Sequence, residues 1–259
     1  MPDSPKQHES ATPPRSATAG GLVGLLASVP APTIGALAAM VFLPGTLPGQ
    51  SIYTLSKLWL GAFPLFWRLR IEREPISWSP LRERSGWIVG VVSGLLISAV
   101  IVIAWFVARA SNLIDPATIR EAAIENGIGT PLRYVAFSFY IICINSLLEE
   151  YFWRWFVVRR CEDLVRRGWM AAVLSAFLFT LHHIIALKVQ MDWLPTILAS
   201  VGILFGGVIW SAMYVRYRSI WPAYLSHAIV DLAFLIIGYF IIVTPPAATA
   251  AASAVGVVG

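Results

Sequence analysis

Charge is what this sequence has least of. Only 13% of its 259 residues are charged and 58% are hydrophobic, whereas a soluble domain is about 25% charged and about 45–50% apolar. That shortage excludes water as the solvent for most of the chain. Cysteine is nearly absent too. Cys143 lies in an apolar run and Cys161 in an Arg-rich loop, so no disulfide framework is expected. Several protease signatures are missing. There is no His-Glu-x-x-His zinc motif and no Gly-x-Ser-Gly run; Gly90–Gly94 reads GVVSG, with the wrong spacing. Asp231 is the only acidic residue in the last three apolar segments, which leaves a two-aspartate mechanism without its second member. No cleavable signal peptide is expected in residues 1–19, a polar, Pro/Ser-rich stretch that reads as a disordered cytoplasmic tail.

What remains is long apolar segments. They run over about 20–44, 51–67, 87–108, 132–158, 169–188, 193–215 and 220–243. Isolated segments can cross lipid only as helices. The expected fold is therefore all-α, a polytopic transmembrane bundle of about seven spans, with six to eight possible. Pro30 and Pro32 interrupt the first segment and could split it into a re-entrant pair. Residues 115–127 read as a short external helix, with Asp115 as N-cap, Pro116 first and Gly127 as the stop. The Ala/Gly/Val-rich stretch 244–259 reads as a low-complexity tail.

The net charge of +5 does not point to nucleic acid, because the cations sit in short loops between apolar runs. Lys6, Arg15, Arg68, Arg70, Arg73, Arg82, Arg84, Arg159, Arg160, Arg166, Arg167, Arg216 and Arg218 fall on one side of the bundle. Only Arg109, Arg120, Arg133 and Lys188 fall on the other, and Lys57 and Arg154 lie within spans. By the positive-inside rule this is a multi-pass cell-membrane protein with a cytoplasmic N-terminus and an external C-terminus. The loop 68–86, with Ile71, Ile76 and Trp78 among its arginines, suits either an anionic membrane surface or water.

The informative residues are ionisable groups inside the spans: Glu149, Glu150, Arg154, His182, His183, His227 and Asp231. Each carboxylate or guanidinium at mid-span costs about 2.5–3.5 kcal/mol, so the group faces inward and is functional by default. Helix spacing sorts them. Glu150 and Arg154 share a face and can pair. Glu149 is rotated by about 100° and left free, with Asn145 one turn before it. His227 and Asp231 share a face, and the aspartate can set the ring's tautomer. Phe179 can pack on His183, while His182, about 100° away, reads as a polar neighbour or pore-lining residue. Three readings stay open on spacing alone: structural pairs, a proton-coupled transporter, and a hydrolase that activates water. Depth places Glu149 roughly 15 Å from Arg159, His227 roughly 13 Å from Arg218 and His183 roughly 24 Å from Arg167. The first two fall in the cytoplasmic half, toward which a site is expected to open.

Glu149-Glu150-x-x-x-Arg154, Phe179-x-x-x-His183 and His227-x-x-x-Asp231 resemble, in order and spacing, the three motifs of the CPBP family. This family comprises the type II CAAX prenyl endopeptidases and the bacteriocin-processing or Abi proteins. The resemblance covers about 132–235 and implies an intramembrane endopeptidase core acting on a membrane-associated protein or peptide. It implies Glu149 as the base that activates water, His183 holding that water, and His227 with Asp231 at the oxyanion. Arg154 would fix Glu150. The sequence departs from the family at Trp155, where Gly is common, and at Asp231, where Asn is common. No cofactor is favoured; zinc, if bound, would take His183, His227 and Glu150. The alternative function is a non-proteolytic scaffold or carrier using the same cluster. The expected partners are the bilayer and a protein or peptide substrate, with no nucleic acid.

Overall fold

Apolar runs in lipid must satisfy their backbones internally, and each of these runs folds as a helix. The computed structural model describes residues 15–76, 79–80 and 83–244. Residues 1–14 of the expected tail, Trp78 and Arg82 of the basic loop, and the tail 245–259 lie outside that set. The helices are α1 (Arg15–Ser28), α2 (Pro30–Leu37), α3 (Leu47–Phe66), α4 (Arg84–Ala110), α5 (Pro116–Glu125), α6 (Pro131–Phe139), α7 (Ser146–Glu150), α8 (Arg159–Val165), α9 (Gly168–Gln190), α10 (Trp193–Tyr217) and α11 (Trp221–Ile242). Four π-helical segments join or extend them: Ala38–Phe42, Trp67–Ile71, Tyr140–Asn145 and Tyr151–Val158. Helix therefore begins at Arg15, inside the stretch expected to be a disordered tail.

Among the described residues, six helical runs are long and apolar enough to cross a membrane: Gly20–Phe42, Arg84–Ala110, Pro131–Val165, Gly168–Gln190, Trp193–Tyr217 and Trp221–Ile242. The chain is a multi-pass helical membrane protein. The expected second span, 51–67, lies in α3, which is not one of the six. Gln50, Ser51, Thr54, Ser56 and Lys57 dilute its apolar content. It nevertheless runs antiparallel to α1 and α2 along their length. Gly24 lies beside Trp67, Gly35 beside Ser56, and the Trp59 indole donates to the Ala27 carbonyl at 3.1 Å. Pro30 and Pro32 do not turn the chain back. Pro30 takes the first position of α2, where its missing N–H costs little, and the Val29 amide still donates to Leu25 at 2.9 Å.

The basic loops gather at one end. Arg68 pairs with Glu72 at 3.1 Å and with Glu74; Glu72 also takes Arg160. Arg218 pairs with Glu162 at 2.7 Å and Arg216 with Glu83 at 3.1 Å. The Ser219 hydroxyl donates to the Ser79 carbonyl at 2.8 Å. Whether half-buried, as at Arg68, Glu72 and Arg160, or exposed, as at Arg216 and Glu83, these pairs together fix which loops share an end. At the opposite end α5 forms as the sequence expects. The Asp115 carboxylate accepts from the Ala117 amide at 3.0 Å and from Thr118 at 3.2 Å. The Ala117 amide bond holds this carboxyl below the ordinary aspartate value. Gly127 ends the turn in the left-handed region at φ 76°, where a Cβ would be strained.

The run Gly90–Gly94, which lacks the spacing of a serine-nucleophile motif, carries a packing signal instead. Gly90 and Gly94 form a G-x-x-x-G stripe, and in α4 only Gly86, Gly90, Gly94 and Ser98 are buried. Gly90 meets Pro222 and Gly94 meets Ser226, while the Ser98 hydroxyl donates to the Ile229 carbonyl at 3.3 Å. The contacts advance in the same direction on both chains, so α4 and α11 pack in parallel. Small residues allow this close approach, which lipid alone would not drive.

Candidate active site

The segment that carries the acidic pair is wound unusually. α7, which holds Glu149 and Glu150, is a single stretch of α-helix between two π-helical segments. Such widened turns often occur at functional sites. On the first side the Ser146 hydroxyl reaches back five residues to the Ile141 carbonyl at 2.8 Å. On the other, Tyr151–Val158 is buried from Phe152 onward, with Phe152, Trp153, Arg154, Val157 and Val158 wholly enclosed.

Glu150 and Arg154 meet as the spacing expects, with Arg154 Nε 3.2 Å from Glu150 Oε2. The contact is an ion pair rather than an aligned hydrogen bond, since none of the three guanidinium nitrogens has a hydrogen-bond partner. The widened turn offsets the two groups. The guanidinium instead lies over the rings of Phe179, at 4.9 Å, and Trp210, at 5.5 Å, where cation–π attraction compensates part of its burial.

His227 differs from the sequence expectation. Its short contact is not Asp231 but Glu150, whose Oε1 lies 2.9 Å from Nδ1. A carboxylate only accepts, so Nδ1 carries the proton. Asp231 Oδ2 lies 3.6 Å from the other ring nitrogen and accepts from the Ser146 hydroxyl at 2.5 Å. Thus Glu150 bridges Arg154 and His227 across two helices, and Asp231 is the outer neighbour. Spacing within one helix could not reveal a partner on another. The Trp210 ring stacks on His227 at 4.1 Å, with its indole N–H donating to Ser226 at 3.0 Å.

His183 is fixed by its own helix. Its Nδ1 lies 3.0 Å from the Phe179 carbonyl, so Nδ1–H donates and Nε2 is left as an acceptor when the ring is neutral. Phe179 also packs on the ring at 4.5 Å. Glu149 is buried at 4% exposure, and its Oε1 accepts from the Asn145 side-chain amide at 2.9 Å. The depth mismatch between Glu149 and His183 disappears. The helix continues beyond Arg159 through α8 to Val165, sixteen residues after Glu149, while His183 is fifteen residues after Gly168.

Two residues acquire places that spacing did not give them. His182 stacks on Trp153 at 5.6 Å and lies 4.0 Å from the His183 ring. Lys57, from α3, donates to Asn145 Oδ1 at 2.7 Å and lies 3.6 Å from Glu149 Oε1. The signal for Lys57 was its cost, since it was one of two cations placed inside spans.

Asn145, Glu149, His183, His227 and Asp231 converge on one cavity of about 220 Å³, which Phe137, Ile141, Phe234 and Leu235 also line. These apolar residues lie on the side of the cluster away from the basic loops, whereas the sequence reading had the site opening toward that basic end. The reason is the burial of Phe152–Val158, which fills the space on the basic side.

The metal ligands expected from sequence are not gathered. Glu150 is committed to His227 and Arg154. The donors that do meet are Glu149, His182 and His183, with ligand atoms within 4.8 Å of one another. The Lys57 ammonium lies 3.6 Å from Oε1 of that carboxylate, so a cation held by these three residues would have to take Oε2 beside an existing positive charge, which repels it in a low dielectric.

Fold and site together define a multi-pass helical membrane protein with a buried Glu/His centre facing a small cavity. Its segment 131–233 matches the family model described as Rce1-like, type II CAAX prenyl endopeptidase, consistent with the CPBP family. That match spans all three motifs and indicates a peptidase, hence a hydrolase with a protein or peptide substrate. No curated protein and no solved structure matches the chain.

Proposed function

We propose that the chain is an intramembrane endopeptidase that hydrolyses a membrane-associated protein or peptide with water activated by Glu149. The observation that carries this reading is the convergence of Glu149, His183 and His227 on one cavity. Glu149 takes a proton from water, and the resulting hydroxide adds to the scissile carbonyl carbon. His183 Nε2 accepts a hydrogen bond from the water's other O–H, which stays on the oxygen, and so orients the water. The carbonyl oxygen becomes an oxyanion beside His227, whose Nδ1 is held by Glu150 at 2.9 Å and whose Nε2, 3.6 Å from Asp231, is the nitrogen left to donate to it. Glu149 returns its proton to the leaving amine as the C–N bond breaks. Arg154 and Glu150 hold His227 in place, and Asp231 with Ser146 limits its rotation.

The mechanism proposed is metal-free, because Lys57 supplies the positive charge at Glu149. By the positive-inside rule the basic end is cytoplasmic in a cell membrane, with the N-terminus at that end. A prenylated C-terminus, a peptide leader and a sorting tail are the substrate classes to compare, by identifying proteins that accumulate unprocessed in a deletion strain.

Cleavage by purified protein tests the reading. Glu149→Ala lowers turnover about 10²–10⁴-fold, as expected for a general base, and His227→Ala about 10²–10³-fold, as for an oxyanion donor. Wild-type processing by both variants overturns the proposal. A carrier would instead lose flux on neutralising Asp231 or Glu150 and release no peptide.

A further inference from the structure

α3 runs alongside α1 and α2 but is not among the six candidate spans, and its polarity has a focus. Lys57 projects from it to Asn145 Oδ1, at 2.7 Å, while the Asn145 Nδ2 donates to Glu149 Oε1, at 2.9 Å. Only one orientation of the amide satisfies both neighbours, with oxygen toward the ammonium and nitrogen toward the carboxylate. Lys57 also faces Glu149 Oε1 directly at 3.6 Å. Every polar contact to this carboxylate among the described residues thus falls on Oε1. Oε2 accepts no hydrogen bond from them, and Glu149 lines the cavity.

The geometry points to Lys57 as a positioning residue for Glu149: it anchors one carboxylate oxygen, directly and through Asn145, and leaves the other for the reacting water. This inference rests on the peptidase reading. Lys57 lies outside residues 131–233, so the site is incomplete without the N-terminal hairpin. A lysine in lipid is costly unless paired, and among the described residues its ion-pair partner is Glu149. The ammonium in turn keeps a buried carboxylate from lying unpaired.

Two measurements on the full-length protein separate this inference from the reading beneath it. The first is a double-mutant cycle of thermal unfolding with Lys57→Met and Glu149→Gln. Lys57→Met lowers the melting temperature of the parent and shifts the Glu149→Gln background much less. The second is cleavage kinetics. Lys57→Met lowers kcat about 10- to 100-fold, the worth of a charge-assisted contact, leaves KM nearly unchanged, and is largely rescued in Lys57→Arg. Asn145→Ala, which removes the bridge but keeps the lysine, repeats both tests should Lys57→Met not fold. Additive shifts in melting temperature overturn the inference. So does coupling in stability with an unchanged kcat, which would make Lys57 a helix clamp only. Failure of wild-type protein to cleave any peptide sinks the peptidase reading instead, and the unfolding cycle then decides alone whether Lys57 holds Glu149.

Discussion

The two sides of the Glu/His cluster are built differently. Toward the basic loops lies Phe152–Val158, almost wholly buried, with an arginine sealed between aromatic rings. Toward the opposite end lie Phe137, Ile141 and Phe234 around a cavity, with Phe234 62% exposed. The same long helical run, Pro131–Val165, contributes to both. The difference teaches that the site has a rigid floor and an open front. Glu150 and Arg154 belong to the floor, where a charge can exist only if paired. Glu149 belongs to the front, where its Oε2 accepts no hydrogen bond from the described residues.

Breaking the floor should have the largest effect. Arg154→Met leaves Glu150 buried without its cation and costs about 3–5 kcal/mol of stability, read as loss of folded protein in a detergent melt. A melt like the wild type's would mean that the pair does not hold the floor. The parallel α4–α11 contact behind the site should come next. Gly94→Leu drives the new side chain into the Ser226 backbone and costs about 1–3 kcal/mol, with Ser226 and His227 displaced together. Unchanged stability there would refute the small-residue packing. The front should be most tolerant. Phe234→Ala changes stability by only about 0.5 kcal/mol or less, yet raises KM for a peptide that occupies the cavity. An unchanged KM with every substrate tried would detach the cavity from binding.

Much of this was legible in the sequence because its causes are local. The apolar runs specified helices, since lipid allows no other isolated span. The Asp115-Pro116 start and Gly127 stop of α5 were legible for the same reason, as was the Glu150–Arg154 pair four residues apart. The Gly90–Gly94 stripe is equally visible in the sequence, but its packing role depends on Pro222 and Ser226 of another helix.

The sequence by itself determined an all-helical membrane chain with costly ionisable groups on a few helices, because composition and the 3.6-residue period act within one segment. Only tertiary structure decided how those groups pair. Glu150 rather than Asp231 takes the short contact with His227, His182 joins Glu149 and His183, and Lys57 reaches Asn145 from 88 residues away. No periodicity encodes such contacts. They depend on how the helices cross and on the widened turns flanking α7, and both emerge only when the whole bundle packs.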